Sequence, residues 1–311
     1  VKVLGISTSH NASICQVTDG KIDFYLEEDR FNKTKNWCPN SKKEQEYLSI
    51  KERANIEYDK VIIASFDRRF PNNYTGDLDK IINSNILKQL KGNPQFYFFS
   101  YYHHLYHAYS GFYFSNFEDA ICIVMDGAGA QPYFSHRKFC PEVESIYYLN
   151  KFEHKLLCKH LSNARYVHSK DDVIHPAEYI NIDGVDLQFG SAPSSGHKFG
   201  ALTYRLGLGD GNEAGKTMGL ASYGNLTGDR PEDLARQLQE ETKLDTIELI
   251  KKAISYNDCK NIVLSGGYAL NCVNNYEYLK EFPDHNFFVD PVAHDGGTAI
   301  GAALWAYHHA K

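Results

Sequence analysis

The chain lacks the features that mark several large classes of protein. No uninterrupted apolar run approaches the roughly 20 residues that a membrane-spanning helix needs. Its seven cysteines, at 15, 38, 122, 140, 158, 259 and 272, include no C-x-x-C pair and are odd in number. Scattered in this way they exclude a zinc ribbon or a disulfide framework and read as reduced thiols. Basic residues are outnumbered, 33 Lys and Arg against 39 Asp and Glu, so the basic excess of a general nucleic-acid or anionic-membrane binder is missing. There is no exact repeat, low-complexity linker or heptad period. The opening residues Val1-Lys2-Val3-Leu4-Gly5-Ile6 read as a strand and not a secretory leader, because no longer apolar segment follows. The expectation is a cytoplasmic protein with neither membrane nor nucleic-acid partner.

What is present is the composition of a soluble globular chain: 311 residues, 42% hydrophobic and 23% charged, enough for one large domain or two coupled lobes. Residues 1–9, 12–17 and 21–27 read as three strands, the last two joined by an Asp19-Gly20 turn. A basic, polar stretch at 30–43 precedes a strand at 60–66. Residues 103–114 have helical character with many aromatics, and 120–125 form an apolar strand running into Asp126-Gly127-Ala128-Gly129. Strand-like residues at 145–149 and a polar, loop-like stretch at 162–184 occupy the middle of the chain. Helices are expected at 200–206, 216–223 and 231–256. A strand at 261–264 leads into Ser265-Gly266-Gly267 and a further helix. A short strand at 287–290 precedes Asp295-Gly296-Gly297, which opens a last helix. Strand–glycine–helix junctions at 126, 265 and 295 point to an α/β fold with ligands at the carboxyl ends of strands. Glycines there admit close approach of a ligand, and helix N-termini favour phosphate.

His103 and His107 stand four apart, on one helix face, within reach of a single metal ion. His104 points elsewhere on that geometry. The same spacing suits histidines bonded locally. Asp126 and Asp295, at strand ends, are candidate further ligands, or simple caps and turns. Two His with two carboxylates suit a divalent iron or zinc ion. Gly127 and Gly129, and Gly266 and Gly267, make turns suited to phosphate contact or to turning alone. His10, Asn11 and Ser13, after the first strand, either bind a reacting group or close a turn. Glu27-Glu28-Asp29-Arg30 with Lys33 and Lys35 reads as a solvated charge run.

In order, GISTSHNAS, EEDRFNKTK, HHLYHA, VMDGAGA, GKTMGLASYG, LSGGYALN and DPVAHDGGTAIGAA cover nearly the whole chain. The ordered set resembles the NodU/CmcH-type carbamoyltransferases. That resemblance implies an actin-like ATPase (ribonuclease H-like) fold, with two related lobes at about 1–125 and about 126–311 and a ligand cleft between them. The first domain of that family is similar to the tRNA threonylcarbamoyl transferase catalytic subunit and holds a metal through an H-x-x-x-H pair and two Asp. These carry over to His103, His107, Asp126 and Asp295, with iron favoured over zinc. Contacts to ATP or carbamoyl adenylate carry over to Gly127, Gly129, Glu213, Lys216, Gly266, Gly267 and Asn271. The implied reaction moves a carbamoyl group from carbamoyl adenylate to a hydroxyl of a small-molecule acceptor. His10 is the candidate base or positioning group.

The chain departs from the family pattern at Asn11, where HDAS is usual, and at Lys35-Asn36, where Lys-His is common. The family also continues into a YrdC-like domain that makes the adenylate from carbamoyl phosphate and ATP. That domain is expected to be absent here, so that the chain is part of a longer protein, another chain supplies the adenylate, or the first half-reaction has been lost. The rival readings are a sugar-kinase-like phosphotransferase, a non-catalytic nucleotide-binding subunit and a tRNA modification subunit. Paired histidines argue against a magnesium kinase, which prefers oxygen ligands.

Overall fold

The computed structural model describes residues 1–39, 47–64, 88–99, 101–130, 140–151, 153–164 and 176–310. Parts of the expected elements at 30–43, 60–66 and 162–184 therefore lie outside the described residues. The chain divides into two compact units. The first comprises Val1–Ser110, Ala130–His136 and Val292–Lys311, and the second Gly111–Gly129 and Arg137–Pro291. The expected boundary near 125 thus falls between Ser110 and Gly111, and the C-terminal residues return to the first unit.

In the first unit, β1 (Lys2–Ser7), β2 (Ser13–Thr18) and β3 (Lys21–Glu27) form an antiparallel meander. The turn between β2 and β3 has Asp19 at φ 49° and Gly20 at φ 79°, the doubly left-handed geometry whose twist matches a two-residue hairpin. β4 (Lys60–Ala64) and β5 (Gln95–Phe98) add in parallel, giving the order β3-β2-β1-β4-β5. Short helices α1 (Asp29–Asn32) and α2 (Leu48–Glu52) flank this sheet. Helix α3 (His103–Ser115) follows and runs across the division of the units. On one side of the sheet a core forms around Leu4, Ile14, Tyr47, Ile50 and Val61.

The second unit holds β6 (Asp119–Met125), β7 (Glu142–Asn150), β8 (His154–Ser162), β9 (Glu178–Ile182), β10 (Val185–Gly190), β11 (Asn261–Ser265) and β12 (Asn286–Val289). Their order is β12-β11-β6-β7-β8-β10-β9. β6, β7 and β8 repeat the antiparallel meander, and β11 and β12 repeat the two parallel additions. The two units therefore share one strand plan, with the β9–β10 hairpin extending the second sheet. Around it lie α4 (Ser195–Arg205), α5 (Ala214–Leu220), α6 (Pro231–Tyr256) and α7 (Cys272–Glu281). The expected loop at 162–184 contains β9. That strand is exposed along its whole length and has no buried face to impose the alternation by which a strand is read.

The last helix, α8 (Gly297–His309), is apolar nearly all round, with a buried run from Gly297 to Ala306, as befits a core helix. It packs on β1, β2 and β4, which is why the C-terminal residues belong to the first unit. Gly5 makes that packing possible: a Cβ there would lie 2.0 Å from the Ala299 carbonyl oxygen. No helix among the described residues is long and apolar enough to cross a membrane.

Candidate metal centre

The N-terminal turns of α3 place His103 and His107 on one face, and the turn before α8 brings Asp295 to them. Nε2 of His103 lies 3.7 Å and Nε2 of His107 3.6 Å from Oδ1 of Asp295. One ligand atom from each of the three lies within 4.8 Å of the others. All three side chains are buried. The separations are too long for hydrogen bonds, and among the described residues neither ring nitrogen of His107 nor either carboxylate oxygen of Asp295 has a hydrogen-bond partner of acceptable geometry. Two imidazoles facing a carboxylate across such gaps are the donor set of a divalent iron or zinc ion. The residues present fit a metal.

His10, in the loop after β1, places Nδ1 3.0 Å from Oδ2 of Asp295 while its own side chain is 31% exposed. Burial alone would raise the Asp295 carboxyl. The electrostatic influence of His10 and His103 and the contact with His107 outweigh it and hold the group well below the usual carboxylate range. The backbone around Asp295 is pinned. Ser7 Oγ and Thr298 Oγ1 donate to its carbonyl at 3.1 and 2.6 Å, and Ser13 Oγ donates to that of Gly296 at 2.7 Å. His104, also buried, is outside the metal-competent group of residues.

The two departures from the family motifs meet in the fold. Asn11 Nδ2 donates to Asn36 Oδ1 at 3.2 Å. Both backbones are left-handed, φ 60° and 53°, a region in which Asn is enriched.

Asp126 follows β6 in the second unit. Its backbone N–H donates to the Val143 carbonyl at 2.9 Å and its Oδ1 accepts from the Gly127 N–H at 2.7 Å. Two turns converge on it. Ser194 Oγ donates to its carbonyl at 3.1 Å. A Cβ on Gly196 would lie 2.8 Å from that carbonyl oxygen, and one on Gly267 3.4 Å from Oδ1. Ser194 and Gly196 are absent from the sequence-derived candidates. Their signal was a Ser-Ser-Gly-His helix start, with Ser194 capping α4 through the His197 N–H.

The candidate nucleotide residues divide. Gly266 and Gly267 lie at the end of β11, next to β6. The Gly129 N–H is spent on the Glu142 carbonyl at 2.7 Å. Glu213 and Lys216 pair with each other at 3.0 Å. Asn271 is buried, caps α7 and exchanges hydrogen bonds with Gln239 at 2.7 and 3.2 Å.

The model of a family described as carbamoyltransferase N-terminus matches residues 70–257 and 229–304. An uncharacterised protein of Synechocystis is 26% identical over 98% of this chain and 57% of its own length. HypF of T. kodakarensis superposes with a TM-score of 0.60 at 13% identity, over 98% of this chain and 47% of its own. A ROK hexokinase of Thermus thermophilus superposes at 0.52 and 12% identity over the full length of both. These likenesses assign the actin-like ATPase fold. The chain spans about half the length of the Synechocystis and HypF proteins.

Proposed function

The chain belongs to the carbamoyltransferase N-terminus family, and on that footing we propose that it transfers a carbamoyl group from carbamoyl adenylate to a hydroxyl of a small-molecule acceptor. The observation that carries the proposal is the buried His103, His107 and Asp295 set, three metal donors with a ligand atom of each within 4.8 Å of the others. Asp126 is proposed as a fourth ligand on the strength of the family resemblance. A divalent ion bound there would supply Lewis acidity toward carbamoyl or phosphate oxygens.

In this reading the acceptor oxygen bonds to the carbamoyl carbon and the bond from that carbon to the adenylate oxygen breaks, releasing AMP. His10 keeps Nδ1 against Asp295 and takes the acceptor proton at Nε2. Backbone amides of the Gly266-Gly267 turn hold phosphate. The adenylate is made from carbamoyl phosphate and ATP by a YrdC-like domain or chain. The test supplies carbamoyl adenylate to the purified chain with a panel of polyols and aminosugars and measures AMP and carbamoylated product. Acceptor-dependent AMP release that disappears in His10→Ala and His107→Ala is expected. Hydrolysis with no transfer to any acceptor overturns the proposal. A kinase-like reading is disfavoured by the imidazole donors.

A further inference from the structure

The second unit has a cavity that the carbamoyl-transfer proposal does not use. It lies against β7, β8 and β10, between α4 and α6, with a volume of about 390 Å³. That is within the ~300–1,000 Å³ typical of small-molecule sites. No candidate metal or nucleotide residue lines it.

Its distinctive group is His160 on β8, 8% exposed. Nδ1 of His160 lies 3.0 Å from Oε2 of Glu144 on β7. Burial pushes the Glu144 carboxyl up, but the hydrogen bond and charge of His160 outweigh it and hold it below its ordinary value. The ionised carboxylate accepts the Nδ1–H, which leaves Nε2 as the ring's second hydrogen-bonding atom. It is buried, has no hydrogen-bond partner among the described residues and belongs to a residue lining the cavity. A buried ring nitrogen of this kind calls for a hydrogen-bonding group, and a hydroxyl can both donate and accept.

The charge of the walls selects among ligands. Lys198 is held by Glu241 and Asp245, Glu248 by Lys251 at 2.9 Å, and Lys252, which also lines the cavity, has the Asp186 carboxylate near it. With these charges matched inside the protein, an ionic ligand finds little to neutralise. The hydroxyl of Ser145 and the amide of Gln188, beside apolar Ile146 and Leu249, suit a neutral molecule rich in hydroxyl groups. We propose that this cavity binds a small neutral polyhydroxyl compound of sugar or cyclitol type, with one hydroxyl hydrogen-bonded to Nε2 of His160. The site belongs to the second unit alone and does not rest on the carbamoyl-transfer reading.

The test follows the histidine ring resonances of the protein by NMR, with the His160 signal assigned by its loss in His160→Gln. Glucose, N-acetylglucosamine and myo-inositol are the neutral probes; inorganic phosphate and glycine are the charged ones. Saturable movement of the His160 signal by at least one neutral probe is expected. Leu249→Trp, which fills the cavity from α6 and leaves the Glu144–His160 pair intact, should weaken that binding at least about tenfold. Gln188→Trp fills it from the sheet and gives the same reading should the first variant fail to fold. The proposal is overturned if no neutral probe moves the signal, if binding survives in a folded cavity-filling variant, or if phosphate or glycine binds more tightly than every polyol.

Discussion

Gly266→Ala should unfold the second unit far more readily than Gly267→Ala, although the two glycines are neighbours in one turn. Gly266 has φ 88°, and an L-residue held in the left-handed region costs about 1–3 kcal/mol. The added Cβ would also lie 2.3 Å from the Met125 carbonyl oxygen and 2.7 Å from its carbon. Those atoms are backbone of β6, a central strand paired with both β11 and β7, so relief requires moving the ladder. Such overpacking adds about 1–3 kcal/mol, for a sum of about 4 kcal/mol. At Gly267 the nearest atom to a Cβ is Asp126 Oδ1, at 3.4 Å, ordinary contact, and the expected loss is below about 1 kcal/mol. Urea unfolding followed by circular dichroism reads the difference. With a slope of about 3 kcal/mol/M, Gly266→Ala lowers the midpoint by about 1 M or more and Gly267→Ala by a small fraction of that. Equal midpoints would refute the close approach of β6 and the β11 turn. If folded Gly267→Ala also loses affinity for AMP, the turn holds phosphate; unchanged affinity would make this glycine pair a turn alone.

His107→Ala should reduce the bound divalent metal from about one ion per chain and remove most transfer activity. His104→Ala, compared at equal folded fraction by elemental analysis, should retain its metal; equal losses would place His104 among the ligands. Asp233, held down at about 2 first by its hydrogen bond from Arg230 and then by the Asn225 N–H, contributes stability above its unfolded value of about 3.9. That contribution is lost as pH falls toward 2, because the folded pKa is the lower one. Asp233→Asn should therefore flatten the acid limb of the stability–pH curve, and an unchanged limb contradicts the pairing. Asn11→Asp with Asn36→His puts an acid–base pair where the amides meet, with little backbone strain. Stability should change by less than about 1 kcal/mol and transfer from supplied adenylate should rise; an unchanged rate would make the amide pair structural.

Local chemistry makes much of this protein legible in its sequence. The Asp19-Gly20 hairpin follows from two residues that accept left-handed backbone. Helix α6 follows from 26 residues of continuous pattern, with Pro at its first position. The His103/His107 face follows from helical period alone. Only the tertiary structure added Asp295 to those histidines, because it stands nearly 190 residues away and the packing of α8 on β1, β2 and β4 delivers it. The same holds for the β9–β10 edge and the duplicated strand plan, since pairing order is set by contacts that leave no period in the sequence. Ser194 and Gly196 gathered around Asp126, and Asn11 against Asn36, are likewise encounters between distant segments. The contacts of Asn271 with Gln239 and the start of α7 are also set by burial and are not legible in its motif. Residue types and short spacings determine which groups are available; burial and long-range packing decide which of them face one another.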